Sequence, residues 1–226
     1  VPLAGVLAVL PGLLLTGFDH SEESRKLLAA NPVPRVHLME LREPGTGPDC
    51  YSVGFSQIAA GAEMTRHLLD KGYRRIAFCG AQLDARVMQR LEGYRQVLKQ
   101  AGLYDQSLEI LNPERSSLAL GARQFETLLK AQTTVDAIFF CNDDIAQGAL
   151  LEANRMGVKV PQQVAIAGFN DLPGSDQMVP PLTTIHTPRD EVGSKAASML
   201  LQLLAGDAVR EASVDLGFRL IPRAST

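Results

Sequence analysis

The stretch VDAIFFCNDDIAQGALLEANRMGVKVPQQVAIAGF, residues 135–169, decides the fold class. It contains the apolar runs AIFFC (137–141), within the predicted strand 135–141, and VAIAGF (164–169), which predict two strands that are buried on both faces. Between these runs, Asp143 or Asp144 is placed to cap a helix that ends at Met156 and is stopped by Gly157. A strand, a helix and a second strand in this order predict a crossover between parallel strands.

The same alternation of strand and helix extends outward in both directions. A further buried strand is predicted at 74–80, in RRIAFCG. Four further helices are predicted. The first is capped by Ser56 and runs to about residue 70, and the second spans 87–101 and ends at Gly102. The third is capped by Ser116 or Ser117, and the fourth begins at Pro188 and is closed by Gly206. The first of them is expected to turn Ile58, Ala62, Thr65 and Leu69 inward. The pattern predicts an α/β fold with doubly wound parallel sheets.

The first 18 residues, VPLAGVLAVLPGLLLTGF, carry no charge. They have no basic start, they are interrupted at Pro11-Gly12, and they are shorter than the ~20 residues of a membrane span. We interpret them as two buried strands, AGVLAVL and GLLLTG. Because Pro-Gly cannot link parallel neighbours, either these strands are not adjacent or a segment between them is missing.

The composition is that of a globular protein and argues against direct nucleic-acid binding. The chain has 226 residues, of which 46% are hydrophobic and 21% charged, and its net charge is −3. A nucleic-acid-binding domain usually has a basic excess. Cys50, Cys79 and Cys141 are widely spaced, which predicts reduced thiols, buried for the latter two, and a cytosolic protein without a disulfide framework or zinc ribbon.

The signatures of common enzyme classes are absent from the sequence. There is no GxGxxG after a strand, no GxxxxGK[ST], no HExxH and no complete nucleophile elbow. The four histidines are far apart in sequence, and each is interpreted as a surface or satisfied polar residue. The Asp143-Asp144 pair is interpreted as a helix cap plus an acid favoured by the helix dipole. We therefore expect no enzyme activity, no metal site and no cofactor.

Polar residues follow the predicted strands at the edge where doubly wound sheets bind ligands. Two asparagines come directly after strands, an aspartate and two arginines follow the strand at 74–80, and a serine precedes the next helix. These residues are Asn142, Asn170, Asp84, Arg86, Arg90 and Ser116. An arginine fork with amides and hydroxyls suits a polyol or a sugar acid. The alternatives are that each asparagine is a turn or cap residue, and that Arg90 is exposed and paired with a neighbour such as Glu92.

Four stretches carry a resemblance to a known family: GYRRIAFCG, RLEGYRQVLKQAGL, AIFFCNDDIAQGALLEANRMGVKVPQQVAIAGFND and PPLTTIHTPRDEVG. They resemble the effector-binding core of the lactose-repressor family of bacterial transcription regulators, and the details are most similar to its gluconate-operon repressor branch. The resemblance spans about residues 13 to 219. It implies a homodimer of two-lobed chains of periplasmic-binding-protein type, with three crossings between the lobes and the effector in the cleft. The expected lobes are 1–52 with 183–226, and 53–182.

The resemblance also assigns effector contacts to Arg90, Asn142 and Asn170, with Ser116 near a position that is often aromatic in the family. The family usually has aspartate where Asn170 stands, and this carboxylate accepts the hydroxyls of a neutral sugar. Asparagine at this position avoids repelling an anion, and serine in place of a stacking ring suits a linear molecule. Both differences favour a sugar acid such as gluconate.

The sequence therefore predicts the effector-sensing domain of a cytoplasmic DNA-binding repressor. Operator DNA would be bound only through an N-terminal helix-turn-helix headpiece that this sequence lacks, and no membrane contact is expected. The N-terminal lobe is expected to be incomplete, because the family has further elements where Pro11-Gly12 stands. The alternatives are a periplasmic solute receptor of the same fold and an enzyme on a doubly wound fold.

Overall fold

The computed structural model describes residues 11–42, 47, 50–131 and 134–226. Its strands are β1 (Leu13–Thr16), β2 (Arg35–Leu38), β3 (Tyr51–Gly54), β4 (Ile76–Ala81), β5 (Glu109–Asn112), β6 (Ala137–Phe140), β7 (Ala165–Ala167), β8 (Thr184–His186), β9 (Ser213–Asp215) and β10 (Arg219–Ile221). Its helices are α1 (Glu22–Ala30), α2 (Gln57–Asp70), α3 (Ala85–Gln100), α4 (Leu118–Lys130), α5 (Asp143–Met156) and α6 (Arg189–Ala205).

The chain folds into two compact units. The first unit consists of Val1–Ser56 and Pro188–Gly217, and the second of Gln57–Thr187 and Phe218–Thr226. The chain therefore passes from one unit to the other three times. These units do not test the lobe boundaries that the sequence predicts. The predicted lobes, 1–52 with 183–226 and 53–182, stay a prediction.

The first unit has a four-stranded parallel sheet in the order β1-β2-β3-β9. Helix α6 begins and ends where Pro188 and Gly206 predict. The core combines apolar residues of the sheet with the inner face of α6: Val36, Val53, Val214, Val192, Ala196 and Met199. The predicted strand GLLLTG is β1, whereas AGVLAVL lies outside the described residues.

The second unit confirms the predicted doubly wound parallel sheet. Its strand order is β5-β4-β6-β7, and all three pairings are parallel. From β4 the chain first adds β5 on one side and then β6 on the other, so the strand order reverses between β4 and β6. This reversal point is where doubly wound sheets open a crevice at the carboxyl ends of the strands. Strands β8 and β10 form a separate antiparallel pair.

Glycines bring the helices of the second unit close together in two pairs. A Cβ on Gly61 of α2 would overlap the backbone of Arg90 in α3, and one on Gly93 would overlap the carbonyl of Ile58. In the same way, Gly121 of α4 faces the Ile145 carbonyl and Gly148 of α5 faces the Leu118 carbonyl. These reciprocal contacts exclude any side chain at the two crossings.

Some local predictions are corrected by the structure. The cap of α5 is Asn142, whose side chain accepts from the Ile145 amide, and Asp143 and Asp144 lie in the first turn. Ile58 is 36% exposed and does not belong to the inner face of α2. Of the two candidate caps for α4, the structure selects Ser117.

Two further observations concern the cysteines and hydropathy. Cys79 and Cys141 are buried free thiols, as predicted. None of the helices in the described part of the chain combines the length and hydropathy that a bilayer span requires.

Candidate functional site

Arg90 is the most buried charged residue among the predicted contacts, with 6% of its surface exposed. Its Nε donates to the Gln57 side-chain oxygen at 2.8 Å, and its Nη1 donates to the Cys141 carbonyl at 2.6 Å. The guanidinium also lies 3.8 Å from the ring centroid of Phe169. Arg90 thus connects the ends of β6 and β7 with the first residue of α2. The alternative of an exposed arginine paired with Glu92 is wrong.

The partners of the Arg90 guanidinium are all neutral. No carboxylate within the described residues forms an ion pair with it, although Asp84 and Asp143 act on it from a longer distance. Burial lowers the pKa of Arg90 to about 10, so the group remains charged at neutral pH. Within the residues that the structure describes, its hydrogen bonds use Nε and Nη1, which leaves Nη2 to donate to a ligand.

Asp84 and Arg86 form a second charged group at the start of α3. The Asp84 carboxylate caps the helix by accepting from the Val87 amide at 3.0 Å, and it pairs with Arg86 Nη2 at 2.7 Å. Burial raises the pKa of the Asp84 carboxyl, but the Val87 and Arg86 hydrogen bonds outweigh this effect and hold it below its usual range. Both side chains are partly exposed, and their charges cancel within the pair.

Asn142 and Ser116 meet directly beyond β6. The Ser116 hydroxyl donates to Asn142 Oδ1 at 2.9 Å and lies 3.4 Å from Asp144 Oδ2. Asn142 is a helix cap, as its alternative interpretation proposed, and its recorded bonds all use Oδ1. The Asn142 amide nitrogen has no recorded partner in the described part of the chain, so the capping role leaves this donor for a ligand.

Asn170 lies in a loop with an unusual backbone. Its φ is +109° and that of Asp171 is +53°, values that asparagine and aspartate tolerate better than other non-glycine residues. The Asn170 amide donates to the Ile185 carbonyl, and its own carbonyl accepts from the Thr187 hydroxyl. The loop is therefore fixed against β8 and the residue that follows it.

Two carboxylates that the sequence analysis did not assign to the site hold this loop in place. Asp143 is fully buried and accepts from the Leu172 amide, the Ser175 hydroxyl and the Thr184 hydroxyl at 2.7–2.8 Å. Burial raises the pKa of the Asp143 carboxyl, and these hydrogen bonds only partly offset the increase.

Asp171 is the second of these carboxylates. It pairs with Arg223 at 2.8 Å and contacts His186 Nδ1 at 3.1 Å. Burial raises the pKa of its carboxyl, but the hydrogen bonds from Arg223 and His186 bring it below its usual value. The loop is thereby joined to His186 of β8 and to Arg223, which follows β10. These partners are far apart in sequence, so no local pattern could have identified the pairing.

The carboxyl edge of the first sheet has a different set of polar residues. His37 is buried, stacks on Phe18 at 4.1 Å and donates from Nδ1 to the Gly17 carbonyl at 2.8 Å. The His20 ring lies 5.8 Å from that of His37, so the fold brings together two histidines that are far apart in sequence. The Glu40 side chain is buried and accepts from the Phe18 amide. No group of three or more potential metal ligands occurs among the described residues.

The site lies within a region that matches a known domain family. The periplasmic binding protein-like domain matches residues 65–226. The chain is 54% identical over 215 residues to the HTH-type transcriptional regulator GntR of Pseudomonas aeruginosa strain PAO1, covering 95% of this chain and 62% of the relative. It is 35% identical over 214 residues to the regulator GntR of Escherichia coli K12, covering 95% of this chain and 63% of the relative. The chain thus spans less than two thirds of the length of these curated relatives.

Solved structures give the same result. The transcription regulator GntR from Chromobacterium violaceum superposes with a TM-score of 0.92 and 46% identity, covering 99% of this chain and 81% of that one. A complex of the transcriptional regulator CelR with cellobiose superposes with a TM-score of 0.87 and 28% identity, covering 99% and 69%. All these relatives are transcription regulators rather than enzymes. The chain belongs to the periplasmic binding protein-like domain family and, within it, to the lactose-repressor family of transcription regulators with the GntR-type members as relatives.

Proposed function

We propose that this chain is the effector-sensing part of a cytoplasmic transcription repressor and that its effector is a sugar acid such as gluconate. The observation that carries the proposal is the environment of Arg90. The guanidinium is buried and contacts only neutral groups, with Asp84 and Asp143 acting on it from a longer distance, so a ligand carboxylate would be its first direct ionic partner. Its Nη2 group offers the geometry to receive that carboxylate.

Three of the other predicted contacts support a polyhydroxy acid rather than another anion. Asn142 presents an amide donor, Ser116 a hydroxyl, and Asn170 a neutral side chain in place of the family's usual aspartate. None of these groups would repel a carboxylate, and all of them can exchange hydrogen bonds with hydroxyls. In this proposal the effector lies between two lobes, and its binding changes the affinity of the whole protein for its operator.

The effector class is tested by thermal unfolding of the full-length protein with gluconate, 2-ketogluconate, glucose, ribose, a purine and a phosphosugar. A ligand at ~100 times its Kd stabilises a protein by about 2.7 kcal/mol. For a domain of this size, that raises the melting temperature by about 5–10 °C. We expect a shift with one of the two acids. A shift with glucose or the purine and none with either acid would contradict the sugar-acid proposal.

DNA binding in this proposal belongs to a headpiece outside this chain. The supporting observation is the net charge of −3, which gives little attraction for phosphates. We expect no specific gel shift of any operator by residues 1–226 alone, even at low salt. Sub-micromolar binding of these residues to a defined site would contradict this assignment. The periplasmic receptor has no comparable support, because the relatives are transcription regulators.

The protein is further proposed to be a homodimer. Leu151 and Met156 on α5 are 52% and 39% exposed, and Val179 is 72% exposed where its carbonyl accepts from Asn154 of the same helix. Exposed apolar side chains such as these are suited to burial against a second copy. Leu151→Glu is expected to convert the dimer to a monomer in sedimentation analysis. An unchanged dimer would place the interface elsewhere, and a monomeric wild type would contradict dimerisation.

A further inference from the structure

Asp144 lies at the far end of a row of polar groups that begins at Arg90. Arg90 Nη1 donates to the Cys141 carbonyl at 2.6 Å, and the next residue, Asn142, accepts from the Ser116 hydroxyl at 2.9 Å. The same hydroxyl is 3.4 Å from Asp144 Oδ2. The row therefore has a cation at one end, neutral groups in the middle and an anion at the other end.

The Asp144 carboxylate differs from the other acids of the site in having no strong partner. Asp84 is paired with Arg86, and Asp143 accepts three short hydrogen bonds. Within the residues that the structure describes, Asp144 forms no ion pair, and its one recorded side-chain contact is the long one to Ser116. An ionised carboxylate accepts several hydrogen bonds, so most of its capacity is unused. The side chain is half-buried, which leaves it accessible to a ligand.

We propose that Asp144 is a specificity-determining residue that reads the end of the effector remote from the carboxylate. This inference rests on the proposed function. With the effector carboxylate at Arg90, the hydroxyls of the distal carbons lie toward Ser116 and Asp144. The ionised Asp144 accepts from these hydroxyls more strongly than a neutral amide would. It also fixes one orientation, since the reversed molecule would bring its carboxylate against Asp144.

The proposal separates two classes of sugar acid. An aldonic acid such as gluconate has one carboxylate and a terminal hydroxyl, so it matches both ends of the row. An aldaric acid such as glucarate has a carboxylate at each end, so one of them must lie close to Asp144. Like charges in a partly buried site repel each other strongly enough to lower the affinity about 10-fold or more. The site is therefore specific for aldonic acids over the corresponding aldaric acids.

The competing role for Asp144 is purely local. It lies in the first turn of α5, where an acid interacts favourably with the helix dipole. Asp190 in the first turn of α6 offers a matched control, because it belongs to the first unit and is exposed. Asp190→Asn makes the same chemical change at the same position of a helix, at a residue that is not among the predicted effector contacts.

The test measures the affinities of the full-length wild type, Asp144→Asn, Asp144→Glu and Asp190→Asn for gluconate, glucarate and the neutral alditol glucitol by calorimetry. The wild type is expected to bind gluconate at least about 10-fold more tightly than glucarate. Asp144→Asn should reduce this ratio about 10-fold by binding glucarate better and gluconate slightly less well. Asp144→Glu retains the charge and should still reject glucarate, and Asp190→Asn should leave the ratio unchanged.

An unchanged ratio in Asp144→Asn would overturn the role of Asp144, and equal losses of melting temperature in Asp144→Asn and Asp190→Asn would then assign it to the helix dipole. If Asp144→Asn does not fold, the inference depends on Asp144→Glu. It is overturned if that variant binds glucarate as tightly as it binds gluconate. A wild type that binds neither acid but binds a neutral sugar contradicts the proposed function itself.

Discussion

The two units use the same type of sheet but pack it in different ways. In the second unit, two pairs of helices make contact through glycines, so backbone lies against backbone at each crossing. In the first unit, α6 covers its sheet with side chains such as Val192, Ala196 and Met199, and a Cβ added to its Gly193 would meet no atom within 4 Å. A helical glycine is therefore a packing requirement in one unit and an ordinary position in the other.

The carboxyl edges of the two sheets differ in their charged groups. The edge of the second sheet has both signs of charge, because the buried cation Arg90 and the buried carboxylate of Asp143 lie there. The edge of the first has two histidines and Glu40, a buried carboxylate that accepts from the Phe18 amide. The position of polar groups beyond parallel strands is thus a common consequence of the fold, whereas the charged groups that occur there are set by each sequence.

The largest expected effect is the difference in the free energy of unfolding between two glycine-to-alanine variants, one in each unit, which tests the packing comparison. Gly121→Ala places a methyl group against the Ile145 carbonyl, and backbone cannot move aside as a side chain can. We expect a loss of about 1–3 kcal/mol in the free energy of unfolding. Gly193→Ala removes only the flexibility of glycine in a helix and should stabilise by up to about 1 kcal/mol. Urea unfolding of both variants measures the difference, and equal effects would contradict it.

The second prediction concerns the buried cation Arg90. Arg90→Gln removes the positive charge that the proposed carboxylate contacts, and charge-assisted hydrogen bonds contribute about 1.5–3 kcal/mol. We expect gluconate affinity to fall roughly 10- to 150-fold in calorimetry. Arg95→Gln is the control, because Arg95 is already paired with Glu109 by two hydrogen bonds. The interpretation fails if both variants retain wild-type affinity.

The third prediction addresses the neutral side chain at Asn170. Asn170→Asp retains volume and tolerance of a positive φ but adds a negative charge beside the proposed anion. We expect a 10- to 100-fold loss of gluconate affinity, about 1.4–2.7 kcal/mol, that shrinks as the pH falls toward the pKa of the new carboxyl. Glucose binding should not show this loss. Equal or tighter gluconate binding would mean that Asn170 does not face the carboxylate.

The smallest effect is expected from the buried histidine of the first unit. Burial lowers the pKa of His37, and the hydrogen bond to the Gly17 carbonyl, which raises the pKa, offsets this effect only in part. Between this lowered value and the unfolded value of about 6.5, the unfolded chain binds more protons. The free energy of unfolding therefore decreases as the pH falls below about 6.5. His37→Gln should flatten this dependence between pH 7.5 and 5.5 in urea titrations, and an unaltered pH profile would count against it.

Apolar periodicity predicted three of the four strands in the parallel sheet of the second unit, β4, β6 and β7, because these strands are buried and the helices between them have clear ends. It did not predict the edge strand β5, which is only partly buried. It could not predict the helix crossings. The inner face of α2 was assigned by large residues including Ile58, yet the contact with α3 is made by Gly61. A periodic pattern of apolar side chains does not show where the absence of a side chain permits contact.

The candidate site was predictable only in part for a related reason. Asn142 closely follows β6, and Arg90 lies in α3, the helix that follows β4; the fold brings the ends of these two strands together. The roles of Gln57, Asp143 and Asp171 depend on partners 15 or more residues away in sequence, which only the folded structure identifies. The aspartate pair illustrates this limit, since Asp143 binds a loop and not the helix start that its position indicated.

The hydrogen bond between Arg90 and Gln57 has a consequence for how a signal leaves the site. Gln57 is the first residue of the second unit after the chain enters it, and its side chain holds the nitrogen of the residue proposed to bind the effector. A ligand that reorients Arg90 changes the free energy of the peptide at this entry point. Thermodynamic linkage makes this effect reciprocal. If the effector shifts the equilibrium between two positions of the entry peptide by a given factor, a change from one position to the other shifts the affinity for the effector by the same factor. Under the proposed function, the entry point would therefore both respond to the ligand and alter its binding.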